Sequence, residues 1–69
     1  MNQIKTFEIK RGDAVTPKEI PVYDVTESHS ISKKDTYTVV QIFEGNLELK
    51  NSEDVMVPGL YKPSDFNKI

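Results

Sequence analysis

The chain of 69 residues contains no cysteine and no tryptophan. Without cysteine, neither a disulfide nor a thiolate metal site can stabilise the fold, and this composition fits a reducing compartment. No stretch approaches the ~18 apolar residues of a membrane span. The three glycines, Gly12, Gly45 and Gly59, are too far apart for a phosphate-binding loop. Lys5 is not followed by the apolar run of a signal peptide. We therefore expect a cytoplasmic protein.

An excess of one charge is also missing. The 11 acidic and 9 basic side chains nearly cancel, so no overall field recruits nucleic acid or anionic lipid. Hydrophobic residues make up 36% and charged residues 29% of the chain, which is typical of a globular protein rather than a disordered one. We expect residues 1–69 to form one domain, close to the lower size limit for a single hydrophobic core.

The clearest structural pattern is a β-hairpin over residues 37–50. Its first half is rich in Tyr, Thr, Val, Ile and Phe, which suit a pleated, half-buried surface. The pair Gly45-Asn46 tolerates positive φ, as a short hairpin loop requires. Residues 47–50, Leu-Glu-Leu-Lys, alternate apolar and polar side chains. The sequence therefore predicts two strands joined by a tight turn.

Two registers of this hairpin are compatible with the pattern, and one residue of slip exchanges the two faces. A two-residue loop at Gly45-Asn46 gives an inner face of Val40, Ile42, Leu47 and Leu49. A three-residue loop, residues 44–46, pairs Phe43 with Leu47 instead. We favour this second register because it buries both aromatic residues of the strand, with an inner face of Tyr37, Val39, Phe43, Leu47 and Leu49. The first strand is then apolar on both faces, as in a small closed or nearly closed barrel.

Weaker strand patterns precede the hairpin. Residues 3–10 and 20–25 both alternate, and Pro21 makes the second of these an edge strand or delays its start. The intervening Arg11-Gly12-Asp13 predicts a turn. We do not interpret it as an integrin ligand, because a three-residue match is unspecific. Ala14 and Val15 resume a strand after this turn.

The remaining segments are short. Residues 26–35 are predicted to be a polar loop from which Ile31 returns to the core. After the hairpin, residues 55–57 form a short strand, and residues 63–66 form one helical turn with Phe66 pointing inward. No segment has the apolar period of a long helix. The predicted core consists of Phe7, Ile9, Val22, Tyr37, Val39, Leu47, Leu49, Val57 and Phe66.

The order of these elements resembles a known family. A basic Gly-Asp turn follows the first strand, a polar loop carries Ser28-His29-Ser30, and a Tyr-x-Val strand starts at Tyr37. The hairpin turn at Gly45-Asn46 and the closing Pro63-Ser64-Asp65-Phe66 turn extend the likeness over residues 10–67. Together they resemble the small Src-homology-3-like barrels, including short accessory proteins of phages and other mobile elements.

This resemblance implies an all-β barrel of about five strands with a short helical turn near the C-terminus. The chain departs from true Src-homology-3 domains, because it has no Trp and no Ala-Leu-Tyr-Asp-Tyr stretch. Their proline-rich peptide groove is therefore not implied, since a fold can be shared without its ligand.

Residues with catalytic or metal-binding chemistry are few and scattered. His29 is the only histidine, and carboxylates at irregular spacing complete neither a metal site nor a hydrolytic triad with it. We interpret His29 as a solvated loop residue. Four carboxylates of the exposed turns are interpreted as solubilising charge, namely Glu44, Glu48, Glu53 and Asp54. The sequence predicts a protein that is not an enzyme and that binds no metal and no cofactor.

We favour a protein-interaction module of the phage or mobile-element accessory type, with Tyr61, beside Lys62, as its anchor. An alternative is nucleic-acid binding by a basic barrel end with aromatic stacking platforms. The basic residues are Lys5, Lys10, Arg11, Lys33 and Lys34, and the platforms are Tyr23, Tyr37 and Tyr61. A third possibility is a homo-oligomer whose edge strands pair. Near-neutral charge and the lack of a catalytic constellation favour the protein-interaction module.

Overall fold

The structure is a computed structural model, and it describes residues 8–69. The regular elements of this part are six β-strands and one short 3-10 helix. In chain order they are β1 (Ala14–Pro17), β2 (Val22–Tyr23), β3 (Ser30–Ile31), β4 (Tyr37–Phe43), β5 (Asn46–Lys50), the 3-10 helix (Pro63–Asp65) and β6 (Phe66–Lys68). The predicted all-β class is confirmed. Among residues 8–69, no helix has the length and apolar character needed to cross a membrane.

The strands form two antiparallel sheets. The larger sheet has the order β5-β4-β1-β6, and the smaller one pairs β2 with β3. Within the larger sheet, Ala14 of β1 lies opposite Thr38 of β4, and Pro17 lies opposite Phe66 of β6. The turn at residues 10–13 leads into β1, with the Asp13 N–H donating to the Lys10 carbonyl at 3.0 Å.

The sequence predicted a closed or nearly closed barrel, and in residues 8–69 the sheets are not closed into one. Closure requires the outer strands of a sheet to hydrogen-bond to each other. In residues 8–69, the outer strands of the larger sheet are β5 and β6, which do not pair, and the smaller sheet is separate. The outer edge of β5 is joined by irregular chain instead. Leu47 and Tyr61 exchange two backbone hydrogen bonds of 2.7 and 2.9 Å, and the Val57 N–H donates to the Leu49 carbonyl at 2.9 Å.

The β4–β5 hairpin adopts neither predicted register. Phe43 pairs with Asn46, so the turn consists of Glu44 and Gly45. Their φ angles are 51° and 82°, and two successive positive φ angles match the right-handed twist of a hairpin. Glu44 thus adopts a conformation that the sequence analysis assigned to Gly45 and Asn46.

A β-bulge at Val40 decides which side chains of β4 face inward. The pairing passes from Val39–Leu49 to Gln41–Glu48, which leaves Val40 as the extra residue. Tyr37 and Val39 of β4 are buried with Leu47 and Leu49 of β5, as predicted. Phe43, predicted to be inside, is 54% exposed at the hairpin tip because the extra residue reverses the alternation.

One hydrophobic cluster contains residues of both sheets. Of the predicted core, Val22 and Phe66 are buried as well as the four hairpin residues, whereas Ile9 and Val57 are half-buried and Phe7 lies outside the described residues. The predicted return of Ile31 to the core is confirmed, at 4% exposure. Among residues 8–69, the buried members of this cluster are Val15, Val22, Ile31, Tyr37, Val39, Leu47, Leu49, Tyr61 and Phe66.

Three further predictions concern the ends of the chain. The helical turn near the C-terminus is confirmed as the 3-10 helix, and Phe66 behind it packs edge-on against Tyr61 with ring centroids 6.2 Å apart. Residues 55–57 form no strand, only a bridge between Met56 and Lys50. The strand predicted for residues 3–10 falls mostly outside the described residues, and residues 8–10 are not a strand.

Candidate functional site

The loop between β2 and β3 is organised around the carboxylate of Asp24. This side chain is only 4% exposed, although its neighbours in the loop are exposed. Its Oδ1 accepts hydrogen bonds from the backbone N–H groups of Ser28 (2.9 Å) and His29 (3.1 Å), and its Oδ2 accepts one from the Thr26 hydroxyl (2.9 Å). The Asp24 backbone N–H donates to the His29 carbonyl at 2.9 Å, which closes the loop. The Asp24 carboxylate thereby satisfies the hydrogen-bond donors of this turn.

The hydrogen bonds of this loop favour the charged form of Asp24. Burial by itself raises the pKa of a carboxyl group because it removes water from the anion. The backbone N–H of His29, the Thr26 hydroxyl and the backbone N–H of Ser28 outweigh that effect, and they hold the pKa of Asp24 below its usual 3.8. Asp24 is therefore an ionised structural group at neutral pH.

We expect acid to destabilise the protein through this carboxylate. A lowered folded-state pKa contributes stability that is fully present above the unfolded value of 3.8 and is lost as the pH falls through the folded value. Asp24→Asn keeps an acceptor for Ser28 and His29 but removes the charge. Thermal melts of this variant should therefore lose part of the acid dependence seen in the wild type.

A matched control for this experiment is Glu19→Gln, which neutralises an exposed carboxylate of the same region. We expect its melting temperature at neutral pH to equal that of the wild type. Asp13 and Asp35 also have lowered pKa values, chiefly through the backbone N–H groups of Lys10 and Thr36, so some acid dependence should persist in Asp24→Asn. An unchanged acid profile in Asp24→Asn would contradict the assignment.

The Asp24 loop borders a surface cleft of about 510 Å³, which we call the Tyr23 cleft. Its apolar lining comes from residues 21–23 and Val25, and its charged lining includes Lys18, Glu27 and Lys62. Tyr23 is 57% exposed and Val25 is 41% exposed, whereas Val22, the other residue of β2, is buried in the core. Alternation along β2 explains why Tyr23 is exposed beside buried Val22, because successive side chains of a strand point to opposite faces.

The Tyr23 cleft is joined to the core by backbone hydrogen bonds. The Val25 N–H donates to the Leu60 carbonyl at 2.9 Å, and the Lys18 N–H donates to the Asp65 carbonyl at 2.9 Å. Lys18 and Asp65 both line the cleft. The exposed aromatic ring therefore lies on a supported surface rather than at the end of a free loop.

Tyr61, the predicted anchor, is a core residue. It is 0% exposed, its ring packs against Phe66, and its hydroxyl donates to the Pro58 carbonyl at 2.9 Å. Burial also raises the pKa of Tyr61. In this fold its side chain presents no surface to a partner, because Tyr61 pairs with Leu47 at the outer edge of β5 and its ring is buried.

The predicted basic residues lie in separate surroundings. Lys33 lines a small cleft of about 250 Å³ together with Asp35 and Glu53, and its Nζ lies 3.8 Å from an Asp35 carboxylate oxygen. Neither Lys10 nor Arg11 lines that cleft. Both belong to the 10–13 turn, where the Lys10 N–H donates to the Asp13 carboxylate at 2.7 Å. Lys34 is exposed beside Lys33, and Lys5 lies outside the described residues.

Of the stacking platforms considered from the sequence, only Tyr23 is exposed. Tyr37 is 5% exposed, and its hydroxyl donates to the Lys33 carbonyl at 2.8 Å, so it fixes the loop before β4. His29 is exposed in the Asp24 loop. Within residues 8–69, no three His, Asp or Glu side chains are grouped so that they could hold a metal ion.

The sequence analysis named Tyr23 only as one of three stacking platforms, and it did not assign a structural role to Asp24. The sequence does contain a signal for the structural role of Asp24, which is the segment Asp24-Val-Thr26-Glu-Ser28. Asp, Thr and Ser side chains stabilise turns because they hydrogen-bond to nearby backbone N–H groups. The exposure of Tyr23 follows from its position in β2 next to buried Val22, and that assignment depends on pairing with β3.

No family model, no curated protein and no solved structure matches this chain. The strongest feature among its described residues is the Tyr23 cleft, which combines an exposed aromatic ring, apolar neighbours and a charged rim on hydrogen-bonded backbone.

Proposed function

We propose that the protein is a non-catalytic protein-binding module whose contact surface is the Tyr23 cleft. The observation that carries this proposal is the 57% exposure of Tyr23 in a cleft of about 510 Å³ with Pro21 and Val25 beside it. Protein interfaces are enriched in tyrosine, whose ring supplies contact area and whose hydroxyl supplies a hydrogen bond. Tyr23 takes over the anchor role that the sequence analysis gave to Tyr61.

The rim of the cleft favours a polypeptide segment over an apolar small molecule. Two lysines and four carboxylates line it, and the carboxylates belong to Glu19, Asp24, Glu27 and Asp65. Asp24 is engaged in its own loop, which leaves charges of both signs around the apolar centre. A polar rim around an apolar centre is the usual arrangement of a protein interface, where the charges supply orientation more than affinity.

The same proposal includes a Src-homology-3-like arrangement and an accessory role in a phage or other mobile element. Two small antiparallel sheets around one core, a tight β4–β5 turn, and a 3-10 helix directly before the last strand support this arrangement. The proposed binding surface differs from the proline-rich peptide groove of that family, since it contains no Trp.

Tyr23→Ala tests this proposal. We expect the variant to fold like the wild type, because Tyr23 is an exposed residue of a two-residue strand. Affinity capture from a lysate of the source organism should yield a protein that the wild type retains and Tyr23→Ala loses. With that protein purified, the affinity should fall about 30-fold or more, as expected for a hot-spot residue. Tyr23→Phe keeps the ring and should lose much less.

The control variant is Val55→Ala, which truncates an equally exposed apolar residue outside the cleft, at 55% exposure. It should retain the partner fully. The proposal fails if capture is indifferent to Tyr23, or if the retained material is nucleic acid. In the second case, oligonucleotide affinity should fall steeply with salt and should be lost when Lys33 and Lys34 are both replaced by Glu.

A further inference from the structure

Strand β4 extends beyond its neighbour β1. Pairing with β1 covers only Tyr37 and Thr38, and the 10–13 turn then covers Val39, whose carbonyl accepts from the Gly12 N–H at 2.8 Å and whose N–H donates to the Asp13 carbonyl at 2.9 Å. Within residues 8–69, no strand pairs with β4 on that side from residue 40 onward. This stretch, residues 40–43, we call the β4 edge.

The backbone groups of Ile42 point out of the β4 edge. In an antiparallel pair, residues alternate between exchanging hydrogen bonds with the partner strand and directing these groups to the other side. Phe43 and Asn46 flank the two-residue turn and form a bonded pair, so Ile42 and Leu47 form the next, non-bonded pair. Leu47 follows this rule, because its N–H and carbonyl bond outward to Tyr61. The corresponding groups of Ile42 face the side of β4 away from β5.

The β4 edge has a bulge at its first residue, Val40, but it lacks three other features that keep natural sheet edges from pairing. Such edges are usually covered, interrupted by proline or lined with charge. The outer edge of β5 is covered by residues 55–61, and β6 is only three residues long and ends in Lys68. The β4 edge reads Val-Gln-Ile-Phe over residues 40–43 and contains neither proline nor charge. Its side chains at Ile42 and Phe43 are 42% and 54% exposed.

We propose that the β4 edge binds the β4 edge of a second copy of this chain, antiparallel and across a two-fold axis at Ile42. Ile42 then exchanges backbone hydrogen bonds with Ile42 of the second copy, and Phe43 lies opposite Gln41. Glu44, the first residue of the hairpin turn, lies opposite Val40. The seam stops there, because Val39 is already bonded to Gly12 and Asp13. The seam thus spans residues 40–44 of each copy, which are the four residues of the β4 edge and the first residue of the hairpin turn.

Charge supports a second copy rather than an unrelated strand. The seam brings Glu44 of one copy to the end of the β4 edge of the other, where the 10–13 turn begins. This turn carries Lys10 and Arg11, both exposed, while Glu44 is exposed at the hairpin tip. The two-fold axis repeats the contact, so an acidic tip meets a basic turn twice. An interface built from one patch meeting itself is the usual form of a symmetric dimer.

This arrangement joins two four-stranded sheets into one continuous sheet. It uses the hairpin tip and the 10–13 turn and includes no residue that lines the Tyr23 cleft. The proposed dimer is therefore independent of partner binding at the Tyr23 cleft. The seam is short compared with a standard interface, so we expect a weak dimer that forms at high protein concentration.

Ile42→Lys places a charge in the centre of the seam and is the first test. Sedimentation velocity from micromolar to millimolar protein should show the wild type moving from its monomer mass of 7.9 kDa towards twice that value. Ile42→Lys should remain monomeric at all concentrations. The matched control, Val55→Lys, introduces the same charge at another exposed apolar residue and should dimerise like the wild type. Circular dichroism verifies that both variants fold.

Exchanging the charges of Glu44 and Arg11 tests the proposed antiparallel pairing of the two copies. Glu44→Lys and Arg11→Glu each place like charges together and should weaken the dimer at least about tenfold, since each like-charge contact occurs twice. The double variant restores opposite charges and should recover most of the affinity. A wild type that stays monomeric at millimolar concentration overturns the proposal. A dimer that survives Ile42→Lys overturns it too, as does a double variant that dimerises no better than the single ones.

Discussion

Leu49→Ala is expected to lower the free energy of unfolding by about 2–5 kcal/mol. Leu49 is 0% exposed, lies opposite Val39 in the β4–β5 ladder, and accepts a backbone hydrogen bond from Val57. Its truncation removes buried apolar surface and leaves a cavity in the hydrophobic core. A domain of this length is stable by only roughly 3–10 kcal/mol, so the variant should be largely unfolded or close to it.

The control for Leu49→Ala is Val55→Ala, which removes an exposed apolar side chain and should change stability by less than about 0.5 kcal/mol. Denaturant titrations followed by circular dichroism compare the two variants with the wild type. If Leu49→Ala unfolds at the wild-type midpoint, the inner face assigned to the hairpin is wrong.

The second large effect is expected at Gly59. Its φ of 98° is unfavourable for any residue with a Cβ atom, which costs about 1–3 kcal/mol. A Cβ at this position would also lie 2.7 Å from both Cβ and Oδ2 of Asp24. Relief of that clash requires a shift of the carboxylate that organises the β2–β3 loop, which adds about 1–3 kcal/mol. Gly59→Ala should therefore lower the melting temperature strongly.

Gly12→Ala separates the two contributions at Gly59. Gly12 has a similar φ of 92°, but an added Cβ would meet nothing within 4 Å. It should therefore show the backbone cost alone, and the difference between the two variants measures the contact with Asp24. Equal losses of stability in Gly12→Ala and Gly59→Ala would show that the close approach of Gly59 to Asp24 is unimportant.

Gly59 and Asp24 connect stability to the proposed binding surface. Asp24 lies in the Tyr23 cleft, and the loop that it organises begins one residue after Tyr23. A shifted Asp24 in Gly59→Ala should therefore weaken partner binding as well as folding. Gly12→Ala should leave partner binding unchanged at temperatures where the variant is folded.

Most of the hairpin could be predicted from residue types, but its register could not. Tyr37, Val39, Leu47 and Leu49 are inside as predicted, because apolar residues two apart on paired strands share a face. Phe43 is outside because a bulge at Val40 and a turn at Glu44-Gly45 change the alternation. Because β4 has Val and Ile on both of its faces, its sequence is compatible with either face pointing inward. The pattern of apolar residues therefore contained no information about the bulge.

The candidate site was less predictable than the core. Tyr23 and Tyr61 look alike in sequence, since each stands in a short apolar stretch near a proline. Tyr61 is buried because its backbone pairs with Leu47, fourteen residues away, and Tyr23 is exposed because β2 pairs with β3 through Val22 and Ile31. Contacts between distant parts of the chain decided which of the two rings faces solvent.

By itself, the sequence determined the all-β class, the hairpin, a helical turn beginning at Pro63 and most of the core, because these depend on side-chain shape, turn residues and short-range alternation. Only the tertiary structure decided whether the sheets close, which tyrosine is exposed and where β4 extends beyond β1. The reason is physical: each of these depends on which backbone groups bond across long sequence separations. A strand's own residues do not specify its neighbour, and the irregular chain at residues 55–61 occupies the edge of β5 where a barrel would need another strand.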